Sequence, residues 1–231
     1  MPPTRITPAV VPLGSRPCAA PPAGPLPVGP CPVCGRAVHG AGVVCFCCRT
    51  VSAQLGLPLV RLVALCEYRV GDRTHRRLRA YKDAASTEVR TASRRELAEG
   101  LARWERAGGP DALATAPGRA VVTTVPSSCR PGRAPVADLV DAVPGLAARH
   151  VPLLVRGPGP VGHLRADRAA FTLAAGVDRA VLAGWEVLVV DDTTTTGAAA
   201  QSAAAALRLA GARVVAAVAL GRALAPARTE P

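Results

Sequence analysis

Val187-Leu-Val-Val-Asp-Asp-Thr-Thr-Thr-Thr-Gly197 is the stretch whose reading decides the fold. Its first four residues are apolar and mostly β-branched, the composition of a parallel strand buried on both faces. Asp191 and Asp192 stand at the carboxyl end of that strand, followed by four threonines and Gly197. The Ala-rich run 198–210 then reads as a helix that stops at Gly211. Strand, polar loop and helix form the repeating unit of open α/β sheets, whose ligands sit outside the carboxyl ends of the strands.

Backbone N–H groups and hydroxyls at a helix N-terminus favour a phosphate. The two acids just before them suit the opposite partner, because carboxylates accept hydrogen bonds from neighbouring hydroxyls and repel phosphate. One loop therefore offers a phosphate cradle beside a diol clamp, which matches the two ends of a ribose 5-phosphate. At Asp191-Asp192-Thr-Thr-Thr-Thr196-Gly197 the sequence resembles the signature of type I phosphoribosyltransferases, which bind 5-phosphoribosyl-1-pyrophosphate (PRPP) with Mg2+. The resemblance implies that Asp191 and Asp192 hold the ribose hydroxyls, and that Thr195, Thr196, Gly197, Ala198 and Ala199 wrap the 5-phosphate. Two positions depart from the pattern. Ala199 stands where many members have a hydroxyl, and Thr195 stands where purine-using members often carry an acid acting as general base.

Outward from this stretch, strands and helices alternate after residue 118, which predicts a doubly wound parallel α/β sheet. Residues 120–125 read as a buried strand delivering Ser127, Ser128, Arg130 and Arg133, a loop whose hydroxyls and forked guanidiniums suit a pyrophosphate. Right-handed crossovers place this loop and the acid–threonine loop on one edge of the sheet. Helix 135–148, strand 151–155 and strand 213–220 complete the alternation. Earlier, 62–68 reads as a strand and 73–82 as a basic helix or turn ending in Tyr81-Lys82, either a solvated face or an anion-binding lip beside the phosphates, with Lys82 the candidate substrate contact. Residues 87–107 read as a long helix with Leu97, Leu101 and Trp104 on one face. Segment 157–171 is either a flap over the site or a charged helix start, with His163 a speculative catalytic base.

Cys31-Pro-Val-Cys34 and Cys45-Phe-Cys47-Cys48 are two thiolate knuckles ten residues apart. Such spacing fits one tetrahedral ion, so Cys31, Cys34, Cys45 and Cys48 are the expected ligands of a structural Zn2+. Cys47 is an extra thiol, and His39 is the alternative ligand. The expected division is a Pro-rich leader at 1–30, a small N-terminal zinc ribbon at 31–55, a phosphoribosyltransferase-like domain at 60–222 and a tail at 223–231. A ribbon followed by this loop resembles the ComF family, a resemblance that covers about residues 31 to 220 and is supported by Tyr81-Lys82 and Val125-Pro126. An Arg-Gly-Phe-Asn-Gln stretch usual in relatives is replaced by Pro-Gly-Arg-Ala-Pro, and Phe171 takes an Asn position. Family members are linked to DNA uptake in some bacteria.

Composition sets the outer limits. The formal charge of +12 permits anionic ligands or nucleic acid, yet Lys82 is the only lysine and only two each of Trp, Tyr and Phe are present. Stacking platforms for single strands are therefore scarce. No apolar run approaches the roughly 20 residues a membrane helix needs, and residues 1–30 lack a signal-peptide apolar core. The expected setting is the cytoplasm, where clustered cysteines point to metal. Candidate partners are PRPP, DNA or the DNA-uptake machinery, and a second copy of the chain in a homodimer, with no membrane insertion.

Overall fold

The computed structural model describes residues 29–38, 42–127 and 134–224. Ser128, Arg130, Arg133 and His39, singled out above, lie outside the described residues, as do the leader up to residue 28 and the tail from 225. Four parallel strands form the main sheet in the order β1 (Leu62–Tyr68), β6 (Arg213–Ala223), β5 (Glu186–Thr194), β2 (Val121–Thr124). Beyond β2 the sheet gains one more rung, where Val122 donates to Arg149 O and accepts from Val151 N, each at 2.8 Å.

Period-two alternation sends the β5 side chains to two different cores. Val187 and Val189 pack with Ala200, Ala203, Ala204 and Leu207 of α7 (Ala198–Leu209). Leu188 and Val190 face the opposite layer, made by α2 (Arg73–Asp83), α3 (Thr87–Arg106) and α4 (Pro135–Asp141). Leu78, Tyr81, Leu97, Leu101 and Leu139 supply that layer's contacts. Burying each such aliphatic side chain is worth about 1.5–3 kcal/mol. Helices on both faces of a parallel sheet make this the doubly wound α/β architecture expected from the alternation.

Two proline effects reshape the expected elements. The helix anticipated over 135–148 is split into α4 and α5 (Pro144–Ala147), because Pro144 lacks an N–H and holds Val143 extended at φ −112°, ψ 105°. The strand anticipated over 151–155 leaves the sheet at Pro152, which cannot donate to the ladder. Leu153 N turns instead to the Thr123 hydroxyl at 3.1 Å. The chain then forms β3 (Leu154–Arg156), which pairs antiparallel with β4 (Phe171–Leu173) as a separate two-stranded ribbon. A short α6 (Arg179–Leu182) leads from it back to β5.

Segment 157–171 is not a helix start. Up to β4 it is a string of turns and bends containing Leu164 at φ 52°. Ala166 N donates to Gln54 Oε1 at 2.8 Å, and Asp167 N to Ser202 Oγ at 3.1 Å. Arg168 donates to the carbonyls of Leu55 and Gly56, at the end of α1 (Phe46–Leu55).

The cysteine segment docks on the same core. Leu62 N donates to Val33 O at 2.7 Å, and the cysteines share an apolar cluster with Leu62, Ala200 and Ala217. Gln201, nearly fully buried, exchanges two hydrogen bonds with the Val60 backbone (3.0 and 2.8 Å), which fixes the entry to β1 against α7.

Gly221 of β6 sets how closely α2 approaches the sheet. A Cβ there would stand 2.5 Å from Leu78 Cδ1 and 3.0 Å from Tyr68 Cε1. We expect Gly221→Val to lower stability by about 1–3 kcal/mol, the usual cost of overpacking. The check is the urea midpoint at unchanged slope; an unshifted midpoint would contradict this packing.

Candidate functional site

Strand β5 does not end with its apolar residues. It continues through the acids because β6 continues beside it, pairing Asp191 with Ala219, Thr193 with Gly221 and Thr194 with Arg222. The acid pair is thus held in a paired strand rather than on a loose loop. The backbone then turns at Gly197 (φ 85°), where a side chain would be strained and its Cβ would stand 2.8 Å from Leu62 Cδ2. Helix α7 starts immediately afterwards with no side-chain N-cap. The bond that Ala198 N makes to Thr196 Oγ1 is long, at 3.4 Å. The amides of this first turn and the positive end of the helix dipole therefore face outward.

Two cavities meet at the acid pair. The smaller, about 190 Å³, is lined by Thr193 to Ala199, by Asp191 and by Val161, Gly162 and His163. The larger, about 560 Å³, extends over Asp191 and Asp192 toward Arg79, Lys82, Ser127, Tyr68, His75 and Phe171. Val161, Asp191, Thr193 and Ala199 line both. Strands β2 and β5 are adjacent and parallel, so Ser127 emerges on the same edge as the acids, as expected from right-handed crossovers.

The two acids have different surroundings. Asp192 Oδ2 receives the Tyr81 hydroxyl at 2.5 Å and forms an ion pair with Lys82 Nζ, while Asp192 Oδ1 accepts from Thr193 Oγ1 at 3.0 Å. Asp191 Oδ1 accepts from Asp192 N at 2.8 Å. Burial, followed by the neighbouring charge of Asp192, pushes the Asp191 carboxyl up to about 8. The Asp192 amide and Lys82 act in the opposite direction. The geometry combines an uncapped helix start, a pair of adjacent acids and a cation-bearing chamber beyond them.

Every described residue expected at the phosphate and sugar positions lies here: Lys82, Ser127, Asp191, Asp192, Thr195, Thr196, Gly197, Ala198 and Ala199. His163 borders the smaller cavity. Arg168 turns away toward α1. Tyr68 and His75, whose rings stack at 5.7 Å, line the larger cavity and carried no motif to announce them. Their signal was positional: Tyr68 ends a parallel strand and His75 starts the helix after it.

A second constellation lies in the N-terminal segment. The sulfur atoms of Cys31, Cys34, Cys45 and Cys48 are all within 4.8 Å of one another, and all four residues are buried. Cys34 Sγ and Cys45 Sγ are 3.6 Å apart. A tetrahedral ion with bonds of about 2.3 Å would separate its sulfurs by about 3.8 Å, so the cluster fits Zn2+. Hydrogen bonding from Cys48 holds the Cys34 thiol down at about 5, and the same contact raises Cys48. Cys47 stays outside the cluster, with Arg36 Nη1 3.9 Å from its sulfur. The second knuckle is therefore in the Cys45/Cys48 register.

No protein-family model and no curated protein matches the sequence. Among solved structures, the chain is similar to the adenine phosphoribosyltransferase of Leishmania tarentolae at 14% identity. That match covers 68% of this chain and 90% of the other at a TM-score of 0.37. With so distant a neighbour, the chemistry open to the site is defined by the sheet order and by the site's own geometry. No described helix is long and apolar enough to cross a membrane.

Two outcomes are expected. Cys48→Ser loses bound zinc and lowers the melting temperature, whereas Cys47→Ser keeps both, as read by metal analysis and thermal unfolding. Loss of zinc in the Cys47 variant alone would contradict the register. The second outcome comes from the raised Asp191 carboxyl. The native state binds a proton that the unfolded chain has released, so this group's stabilising effect is full below about pH 3.8 and is lost as pH rises through about 8. Asp191→Asn should raise the melting temperature above pH 8 and leave it near wild type below pH 4. Equal shifts at both ends would contradict the buried acid.

Proposed function

We propose that this chain binds Mg-PRPP and transfers its phosphoribosyl group to an acceptor. The observation that carries the reading is the meeting of the two cavities at Asp191. A helix end for a terminal phosphate lies on one side, and a chamber bearing Lys82 and Arg79 lies on the other. Between them, Asp191 and Asp192 accept the ribose hydroxyls, and the backbone from Thr195 to Ala199 holds the 5-phosphate. Lys82, Arg79 and Ser127 face the diphosphate, with Arg130 and Arg133 assigned to the same end from the sequence.

In the reaction the bond from the anomeric carbon to the diphosphate breaks, its electron pair leaves with pyrophosphate, and the acceptor bonds to that carbon. The chain's contribution is positioning and charge placement around an oxocarbenium-like state. Mg2+, which takes few protein ligands and would be held by substrate oxygens and water, would supply charge neutralisation of the leaving group. Zn2+ at the four cysteines would be structural, since four protein ligands leave no open position. A cytoplasmic setting belongs to the same reading.

Thr195, where purine-using relatives often carry a general base, favours a second reading: a PRPP- or nucleotide-binding module without turnover, acting in regulation or competence-type DNA uptake. The two readings separate in one assay, because a module shows affinity for PRPP without releasing pyrophosphate when offered bases and amines.

Calorimetry of Mg-PRPP against wild type and Asp191→Asn/Asp192→Asn tests the shared claim. We expect the double substitution to weaken binding by roughly 30-fold or more, from one hydrogen bond to the Lys82-paired Asp192 carboxylate at about 1.5–3 kcal/mol and one to the neutral Asp191 acid at about 0.5–1.5 kcal/mol. Absence of binding by the zinc-loaded wild type would overturn both readings.

A further inference from the structure

Asp192 is already engaged. Its Oδ2 takes both the Tyr81 hydroxyl and the Lys82 ammonium, and the side chains of Lys82 and Asp192 are only 18% and 14% exposed. An acid meant to receive a sugar hydroxyl at that oxygen must first lose one of these partners. Lys82 is the partner able to leave, because it lines the larger cavity and has solvent-connected space to move into. Tyr81 is the fixed one, almost wholly buried against α3 and the sheet.

The position of Lys82 along the site gives its movement a direction. The smaller cavity, at the helix end, is lined by Asp191 but by neither Asp192 nor Lys82. Lys82 therefore stands on the far side of the acid pair from the terminal phosphate. A ribose lying across Asp191 and Thr193 with its 5-phosphate at α7 points its anomeric carbon toward Lys82 and Arg79. A diphosphate on that carbon offers the ammonium a new anionic partner at the moment Asp192 is needed by the sugar. A ribose 5-phosphate with a free anomeric hydroxyl offers none, and it must break the Lys82–Asp192 pair without compensation. Breaking a mostly buried pair leaves an unmatched charge, which opposes binding.

We propose that Lys82 is a specificity-determining switch. It locks Asp192 in the free protein and releases it only to a ligand, or a pair of ligands, that places a diphosphate in the larger cavity. This inference rests on the phosphoribosyl reading of the site and adds to it a substrate rule and a binding rule. The substrate rule is that PRPP binds more tightly than ribose 5-phosphate alone. The binding rule is that pyrophosphate and ribose 5-phosphate bind with positive coupling, since either one favours the Lys82 position the other requires. Such coupling is reciprocal by thermodynamic necessity.

The test is calorimetry on the zinc-loaded full chain at one fixed Mg2+ concentration, with PRPP and with ribose 5-phosphate titrated in the absence and presence of saturating pyrophosphate. In wild type we expect pyrophosphate to tighten ribose 5-phosphate binding by a factor within the range of about 5–150 typical of coupled sites. In Lys82→Met the coupling should vanish, ribose 5-phosphate alone should bind more tightly than to wild type, and PRPP more weakly. These opposite signs separate release of Asp192 from general damage to the site. The wild-type coupling needs no variant, so it stands as a test even if Lys82→Met folds poorly. PRPP binding to wild type without coupling between pyrophosphate and ribose 5-phosphate would overturn the switch while leaving the phosphoribosyl reading intact. Coupling that persists in Lys82→Met would remove Lys82 from it. If neither PRPP nor ribose 5-phosphate binds wild type, the phosphoribosyl reading itself fails, and the switch with it.

Discussion

Hydrogen bonding between β5 and β6 extends past the apolar centre of the sheet to Thr194 and Arg222, and the site depends on that extension. Because the ladder continues, Asp191 and Asp192 stay on a strand paired to β6 after its pairing with β2 has ended at Val190. Their carboxylates consequently keep a fixed offset from the first turn of α7. The small residues of α7 serve the same end. Alanines at 200, 203 and 204 let the helix lie close on β5 and β6, which brings its N-terminus against the acids. A helix with larger side chains on that face would stand further off and open the smaller cavity.

Placing two adjacent acids in a partly buried strand is electrostatically unfavourable, and the surroundings balance them unequally. Asp192 has a cation and a hydroxyl on one oxygen, while Asp191 has one backbone amide and is left with a raised pKa. The two acids therefore differ in what a ligand would meet: Asp192 is already engaged by Tyr81 and Lys82, and Asp191 by a single amide. The stability cost at Asp191 and the proposed switching at Lys82 trace to the same arrangement of two adjacent acids.

Much of this was legible in the sequence because the deciding signals are local. Four apolar residues, two acids, a polar turn and an alanine run define strand, acid pair and helix without any knowledge of what packs on them. The CxxC spacings likewise placed the four cysteines, and the structure settled the register by leaving Cys47 beside Arg36. What the sequence did not display is what long-range packing decides. The exit of the chain from the sheet at Pro152 was readable in principle, since proline cannot donate to a ladder; its new antiparallel partner, β4, was not. Segment 157–171 carries the charges of a helix start, yet bonds to Gln54, Leu55, Gly56 and Ser202 hold it as turns. Tyr81 and Lys82 drew attention as a motif, but contact with an acid more than a hundred residues later is a property of how α2 lies over Gly221.

A crystal structure of the zinc-loaded protein with Mg-PRPP would test the central claim most directly. The account predicts the 5-phosphate against the amides from Thr195 to Ala199, the ribose hydroxyls on Asp191 and Asp192, and the diphosphate in the larger cavity with Lys82 drawn away from Asp192. A diphosphate seated at the α7 N-terminus, or a sugar making no contact with either acid, would contradict it.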